Sequence, residues 1–201
     1  MDRNNKKIII LTAPSGAGKT TIKSGLLKEM NDKLSFSVSD TTRKIRAHEK
    51  NGVDYFFVNE EDFKKKIADH QFIEWEMVYP GLYYGTTVAE IERIWNEGKV
   101  PLLDIDIQGA LNVKKKYGHQ VLAIFIEPPS ILILRQRLNN RGTESQDNIN
   151  IRINKAMSEM EFKDSFDEKI LNDDLEEAIK KNKRHHPGFC RQQLTEYKVY
   201  L

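Results

Sequence analysis

Cysteine is almost missing from this sequence: Cys190 is the only one. A lone thiol excludes an internal disulfide framework and fits a reducing compartment. Long apolar runs are missing as well, and no stretch approaches the roughly 20 residues that span a bilayer. The opening MDRNNKK precedes an apolar strand too short for a signal h-region. A cytoplasmic location without a membrane partner is therefore the expectation. Neither sign of charge is in large excess: 32 basic residues against 30 acidic ones leave a net +2. That balance argues against a dedicated nucleic-acid or membrane-surface protein. Internal repeats and low-complexity segments are missing too. What remains is 201 residues, a length that suits one domain with a sizeable core and small inserted subdomains.

The chain is organised around Ile8 to Thr21, IIILTAPSGAGKTT, an apolar strand followed by a glycine-bearing turn and a helix start. Ala13-Pro14-Ser15-Gly16-Ala17-Gly18-Lys19-Thr20 has the P-loop spacing, with alanine where the first glycine usually stands. Small side chains let successive backbone N–H groups converge on phosphate oxygens, and the helix adds its positive end. Lys19 is placed to reach the outer phosphates, Thr20 to ligate Mg²⁺, and Thr21 continues the motif. The motif indicates a nucleoside triphosphate and leaves the reaction open.

Beyond it, Ile22, Leu26 and Met30 recur at a spacing of four, an apolar helix face. Phe36 to Ser39 alternates as a half-buried strand and runs into a polar loop bearing Arg43 and Arg46. Guanidinium forks suit phosphate oxygens, although two loop arginines are as often simply solvated. Residues 52–58 read as an aromatic strand, Glu60 to Ala68 as a helix, and 72–76 and 81–87 as short strands and tight turns. Together residues 36–87 form a small mixed insertion. Glu74, set among aromatics, is either exposed on a strand edge or waiting for a partner.

From Val88 the rhythm of a parallel sheet returns. A helix carrying Ile91, Ile94 and Trp95 ends at Gly98, and Val100 to Ile107 reads as a strand interrupted by Asp104 and Asp106. In a regular strand these two share a face, at the sheet end where such folds hold ligands. A metal or substrate role for at least one competes with their use as caps or turn residues. Val121 to Ile126 is a buried strand stopped by Pro128-Pro129, and Ser130 can cap the next helix, with Ile131, Leu134 and Leu138 inward. Arg137, Arg141 and Arg152 straddle a polar loop before a second helical stripe, Ile149, Ile153, Ala156 and Met160. An arginine-rich helix pair of this kind can close over a transferring phosphoryl group. Lys169 to Leu171 reads as a last strand and Leu175 to Lys181 as a helix. In the remainder, His185, His186 and Cys190 lack the second pair that a metal site needs.

Over roughly Lys7 to Ala178 the chain resembles the guanylate kinases, nucleoside monophosphate kinases of the P-loop class. The resemblance rests on successive motifs in order: APSGAGKTT, SVSDTTRKIR, NGVDYFFV, FIEWEMV, YYGTT, LLDIDIQGA, FIEPPS, RLNNRGTES and ILNDD. It implies an α/β fold with a parallel sheet flanked by helices, a small mixed GMP-binding insertion and a helical lid. Its domain, residues 1–183, divides into core (1–35, 88–130, 158–183), GMP-binding region (36–87) and lid (131–157), with 184–201 an atypical tail. It implies transfer of the γ-phosphoryl group of ATP to GMP, giving ADP and GDP, with Mg²⁺ required. No nucleic acid or membrane partner is implied, and a homo-oligomer is allowed for.

Residue by residue, Ser39, Arg43, Arg46, Tyr55 and Tyr84 match the family's GMP contacts. Glu74 and Asp106 match carboxylates that accept from guanine N1–H and the 2-amino group, and Thr86 matches a hydroxyl near O6. Arg137, Arg141 and Arg152 match lid arginines around the phosphates, Arg152 serving both nucleotides. Residues 13–21 and Asn172 match the ATP side, and Asp104, with Thr20, a carboxylate near the metal. The expected catalytic set is Lys19, Arg43, Arg141, Arg152 and Asp104. The departures are Ala13, His48 where glycine commonly precedes Glu49, Tyr79-Pro80, which lengthens a turn, and the tail. The alternatives are a non-catalytic guanylate-kinase-like binding module, in which the phosphate loop is typically degraded, and a kinase of another nucleoside monophosphate.

Overall fold

The structure, a computed structural model, describes residues 6–140 and 146–172. Its first strand, β1 (Ile8–Thr12), is buried along its whole length, as four successive apolar residues demand. Alternation then assigns its side chains to two cores. Ile8 and Ile10 face one side of the sheet, Ile9 and Leu11 the other.

β1 is the middle of a five-stranded parallel sheet in the order β2 (Leu34–Phe36), β7 (Val100–Asp104), β1, β8 (Val121–Glu127), β9 (Glu168–Leu171). On the Ile9 side lies α1 (Lys19–Glu29), which buries Ile22 and Leu26. On the other side lie α3 (Val88–Asn96) and α4 (Ile107–Tyr117), burying Ile91, Ile107, Ala110 and Val113. At about 25 cal/mol per Å² of apolar surface, the two layers supply the dominant stabilising term. Trp95, at the end of α3, packs on this core and donates its indole N–H to the Lys7 carbonyl at 2.9 Å. The Nζ of Lys6 sits 4.7 Å from its ring centroid.

The insertion is a mixed four-stranded sheet, β4 (Phe56–Phe57), β3 (Asp40–Thr41), β6 (Leu82–Thr87), β5 (Phe72–Tyr79), covered by α2 (Glu60–Ala68). Phe63, Phe72 and Tyr83 form its small core, with Phe63 and Phe72 stacked at 4.5 Å. Trp75, Met77 and Tyr79 on β5 face outward and are exposed. Where the insertion leaves the core sheet, Glu90 of α3 accepts the Val38 N–H at 3.0 Å and pairs with Arg93.

Two helices, α5 (Ile131–Asn140) and α6 (Gln146–Met160), pack through Leu134, Leu138, Ile149, Ile153 and Ala156. The Ser130 hydroxyl accepts the Ile133 N–H at the start of α5, as expected of a cap. Among the described residues no helix is long and apolar enough to cross a membrane. The helix expected at 175–181, the tail at 184–201, and His185, His186 and Cys190 lie outside the described residues.

Three local expectations are corrected. The strand through Ile107 stops at Asp104, because Asp106 caps α4, its carboxylate accepting the Gly109 N–H at 2.7 Å. The aromatic strand at 52–58 is reduced to Phe56–Phe57 by a turn in which the Asp54 carboxylate takes the Lys50 N–H. The turn at Tyr79-Pro80 is not lengthened: Tyr79 pairs with Leu82, leaving a two-residue hairpin loop of Pro80 and Gly81 (φ 76°).

Candidate functional site

The loop between β1 and α1 turns on Gly16 (φ 91°) and Gly18 (φ 94°), left-handed conformations that strain any other side chain. Space forbids a side chain as firmly. A Cβ on Gly16 would lie 3.0 Å from Leu134 of α5, and one on Gly18 would overlap the Asn172 amide. Ala13, the departure from the usual glycine, is buried with no positive φ and fits without strain.

The loop is held from three directions. Asn172, buried after β9, donates from Nδ2 to the Ala17 carbonyl at 2.6 Å. Arg137 of α5 donates to the carbonyls of Asn172 (3.1 Å) and Ala17 (3.4 Å). Arg152 of α6 reaches the Ser15 hydroxyl at 3.5 Å. The structure thus brings Arg137 and Arg152 to the P-loop, while Arg141 lies outside the described residues. The Asn172 amide, expected on the adenine side, is directed at the loop backbone.

Beside the loop, Lys19 Nζ is 3.0 Å from Asp104 Oδ1 and donates to the Ile105 carbonyl at 3.2 Å. Lys23, one turn on along α1, pairs with Asp104 Oδ2 at 3.0 Å. Burial alone would raise the Asp104 carboxyl; the two lysines outweigh it and hold it below the usual carboxylate range. Thr20 and Thr21 are exposed at the helix start.

A cleft of about 340 Å³ runs from Lys19 and Thr20 past Asp104 to the second sheet, where Ser39, Tyr55, Glu74 and Tyr84 line it. Asp106 lines the same end. Ser39 and Thr86 share a hydrogen bond at 3.0 Å. Glu74 lies opposite Thr86 across β5 and β6 and is buried, with Oε1 lacking any hydrogen-bond partner. Burial, with the Asp106 carboxylate adding to it and Thr86 partly offsetting it, pushes the Glu74 carboxyl up to about 7. It is therefore not the exposed edge residue of the first alternative.

Arg43 is gathered into the same end but is not an open clamp. Its guanidinium makes a bidentate pair with Glu49, both contacts 2.8 Å, and its Nε donates to the Tyr84 hydroxyl at 3.2 Å. It lies 5.3 Å over the Tyr55 ring, and Tyr55 meets Tyr84 edge-on at 5.7 Å. Hydrogen bonding to Arg43 holds the Glu49 carboxyl down at about 2. Burial pushes the Tyr55 phenol up to about 12. Arg46 is exposed, 3.9 Å from Glu49. Sequence reasoning missed Glu49 as the partner of Arg43 and Lys23 as a partner of Asp104. The only trace of Lys23 is its position four after Lys19; Glu49 leaves none beyond its charge.

Chemically, one end of the cleft gathers N–H groups and cations suited to phosphates, and the other presents carboxylates suited to a base with adjacent N–H donors. Among the described residues no group of three or more His, Cys, Asp or Glu is gathered that could hold a metal. A divalent cation here would need phosphate and water oxygens besides protein ones, which is how Mg²⁺ is usually held. The Thr20 hydroxyl fits that use, whereas both oxygens of Asp104 are engaged by lysines.

Comparison with known proteins places this geometry. The family model described as Guanylate kinase matches residues 5–185. A guanylate kinase of Porphyromonas gingivalis is 46% identical over 169 residues, 84% of this chain and 90% of that protein. One of Salinibacter ruber is 46% identical over 178 residues, 89% of this chain and 92% of that one. One of Schizosaccharomyces pombe is 44% identical over 177 residues, covering 87% of each. The crystal structure of guanylate kinase from Anaplasma phagocytophilum superposes with a TM-score of 0.70 at 28% identity, over 96% of this chain and 85% of that one.

Proposed function

The chain belongs to the guanylate kinase family, and we propose that its cleft transfers the γ-phosphoryl group of ATP to GMP, giving ADP and GDP. The observation that carries this assignment is the pair of unlike ends in one cleft. The P-loop stands at one end, and the buried Glu74, with an orphaned oxygen, stands beside Asp106 at the other. A buried acceptor without a donor costs about 1–3 kcal/mol, a cost that the N1–H and 2-amino donors of guanine remove. Adenine offers neither, so the same site rejects it.

In this reading the P-loop N–H groups and Lys19 take the ATP phosphates, Lys19 leaving Asp104 to Lys23 as it does so. Arg43, Arg46, Tyr55 and Tyr84 hold the GMP phosphate, while Ser39 and Thr86 flank the base. Arg137, Arg141 and Arg152 balance charge on the transferring group. The bond from the GMP phosphate oxygen to the γ-phosphorus forms as the bond to the β–γ bridging oxygen breaks, and ADP leaves with that oxygen. Because the acceptor is already an ionised phosphate, no strong general base is required, and positioning and charge neutralisation carry the rate. The Thr20 hydroxyl, together with phosphate oxygens, would hold Mg²⁺, which would supply charge neutralisation. Asp104 and Thr20 line the same cleft. The insertion 36–87 and the helix pair 131–157 then act as the two moving parts over a core formed by the rest of 1–183, in a cytoplasmic enzyme. A binding module without chemistry would have no use for the intact Gly18, Lys19 and Arg152. A coupled ADP-release assay with ATP and GMP, AMP, CMP or UMP tests the assignment: turnover with GMP should exceed the others by at least about 100-fold. Comparable turnover with AMP would refute it.

A further inference from the structure

The chain enters the insertion at Val38 and leaves it at Thr87, and Glu90 of α3 holds both points. On the way in, the Ser37 N–H still bonds to the Leu102 carbonyl of β7 at 3.0 Å, whereas the Ser39 carbonyl already accepts the Phe56 N–H of β4 at 2.9 Å. Between them Val38, buried, gives its N–H to Glu90 Oε1 at 3.0 Å. On the way out, β6 ends at Thr87, whose hydroxyl caps α3 by accepting the Glu90 N–H at 3.2 Å. One residue inward from each point stand Ser39 and Thr86, themselves joined at 3.0 Å.

Covering the sheet does not call for this carboxylate. Glu90 is 5% exposed on a helix whose Ile91 lies in the core, a place where an apolar side chain costs less than an ion. Its charge is met by Arg93, which donates from Nε to Oε2 and from Nη2 to Oε1, both at 2.8 Å. That planar fork fixes the orientation of the carboxylate. Oε1 is thereby a fixed acceptor on a core helix, and the chain must meet it where it passes into the insertion.

We propose that Glu90 is a positioning residue for acceptor binding: by tying Val38 to α3 beside Thr87, it sets where the Ser39–Thr86 pair stands relative to the core and its phosphate loop. The role rests on the reading of Ser39 and Thr86 as residues that flank guanine. Val38 requires an acceptor oxygen at full reach; the negative charge serves Arg93.

The variants Glu90→Ala, Glu90→Asp and Glu90→Gln separate reach from charge, with the KM for GMP and for ATP, the melting temperature and hydrogen exchange at the Val38 amide measured for each. Glu90→Gln keeps an acceptor oxygen at full length, and its KM for GMP and its Val38 protection should stay near those of the unaltered protein. Glu90→Asp keeps the charge but falls short by one methylene. It and Glu90→Ala should lose the protection of Val38 and raise the KM for GMP about tenfold or more, with the KM for ATP unchanged. Should the alanine variant not fold, the aspartate variant carries the same test. A lowered melting temperature with both KM values unmoved would reduce Glu90 to a structural residue and overturn the inference. So would a Gln variant as impaired as Ala, an Asp variant with an unmoved KM for GMP, or KM values that rise together for the two substrates. Each of these leaves the enzyme assignment intact, whereas absence of GMP turnover by the unaltered protein would overturn that assignment and this role with it.

Discussion

Glu74 and Asp106 meet at Gly109: a Cβ on that glycine would lie 2.9 Å from Glu74 Oε2 and 3.1 Å from Asp106 Oδ1. The two carboxylates come from different layers, one from the insertion strand β5 and one from the cap of the core helix α4. The Asp106 carboxylate adds to the cost that burial sets on ionising Glu74. GMP is proposed to supply donors that offset that cost.

The first prediction concerns pH. Glu74 must be ionised to accept from guanine, and its carboxyl stands at about 7 in the free protein. The KM for GMP should therefore fall as pH rises, about tenfold per pH unit well below 7, and level off above it. Glu74→Gln should raise that KM at least about tenfold and flatten the profile, with the KM for ATP unmoved. Stability should run the opposite way. The folded value lies above the ordinary 4.5, so the protonated side chain favours the fold below that pH, and this contribution is lost as pH rises through 7. The scale is on the order of 3 kcal/mol, and thermal melts of both proteins at pH 5 and pH 8 would display it as a relative gain for Glu74→Gln at the higher pH.

Gly109→Ala should act on the acceptor alone. The methyl group would come within 2.9 Å of Glu74 Oε2 and 3.1 Å of Asp106 Oδ1, so the Glu74 carboxylate must shift from its place in the cleft wall. We expect the KM for GMP to rise about tenfold, with little change in ATP binding by calorimetry.

Lys19→Ala removes the cation proposed to act on the transferring group, and loss of one such stabilising contact typically costs about two to three decades in kcat. Lys23 remains on Asp104, so the carboxylate is not stranded and the melting temperature should move little. Near-normal kcat in a steady-state assay would remove Lys19 from the chemistry.

Arg43→Lys should cost more than a change of cation suggests. A lysine cannot keep the bidentate contact with Glu49 and the bond to Tyr84 together. We expect about a tenfold or greater loss in kcat/KM for GMP, while Arg46→Lys, at an exposed and singly paired position, should cost less.

The P-loop, the central strands and the insertion hairpin were legible because their patterns are local: an apolar run, paired glycines, an alternating strand. Helix α4 was not. Its inward residues Ile107, Ala110 and Val113 are diluted by Gly109 and three lysines, and the alternation around Asp104 and Asp106 imitates a strand. The useful sign was Asp106 itself, an aspartate just before a helical spacing. Glu74 announced its need for a partner through its aromatic neighbours. Glu49 and Lys23 could not, since a charged residue in a polar or amphipathic stretch reads as solvated until the fold supplies its counterpart.

The placement of the two tryptophans gives the protein an optical division of labour. Trp95 is tied to Lys7 in the core sheet, away from the insertion. Trp75 follows Glu74 directly on β5, half-exposed and 6.2 Å from Tyr83. With Trp95 replaced by phenylalanine, the emission of the remaining indole comes from the acceptor side alone. Occupancy of that side then becomes readable by light, without a label and separately from whatever the phosphate loop binds.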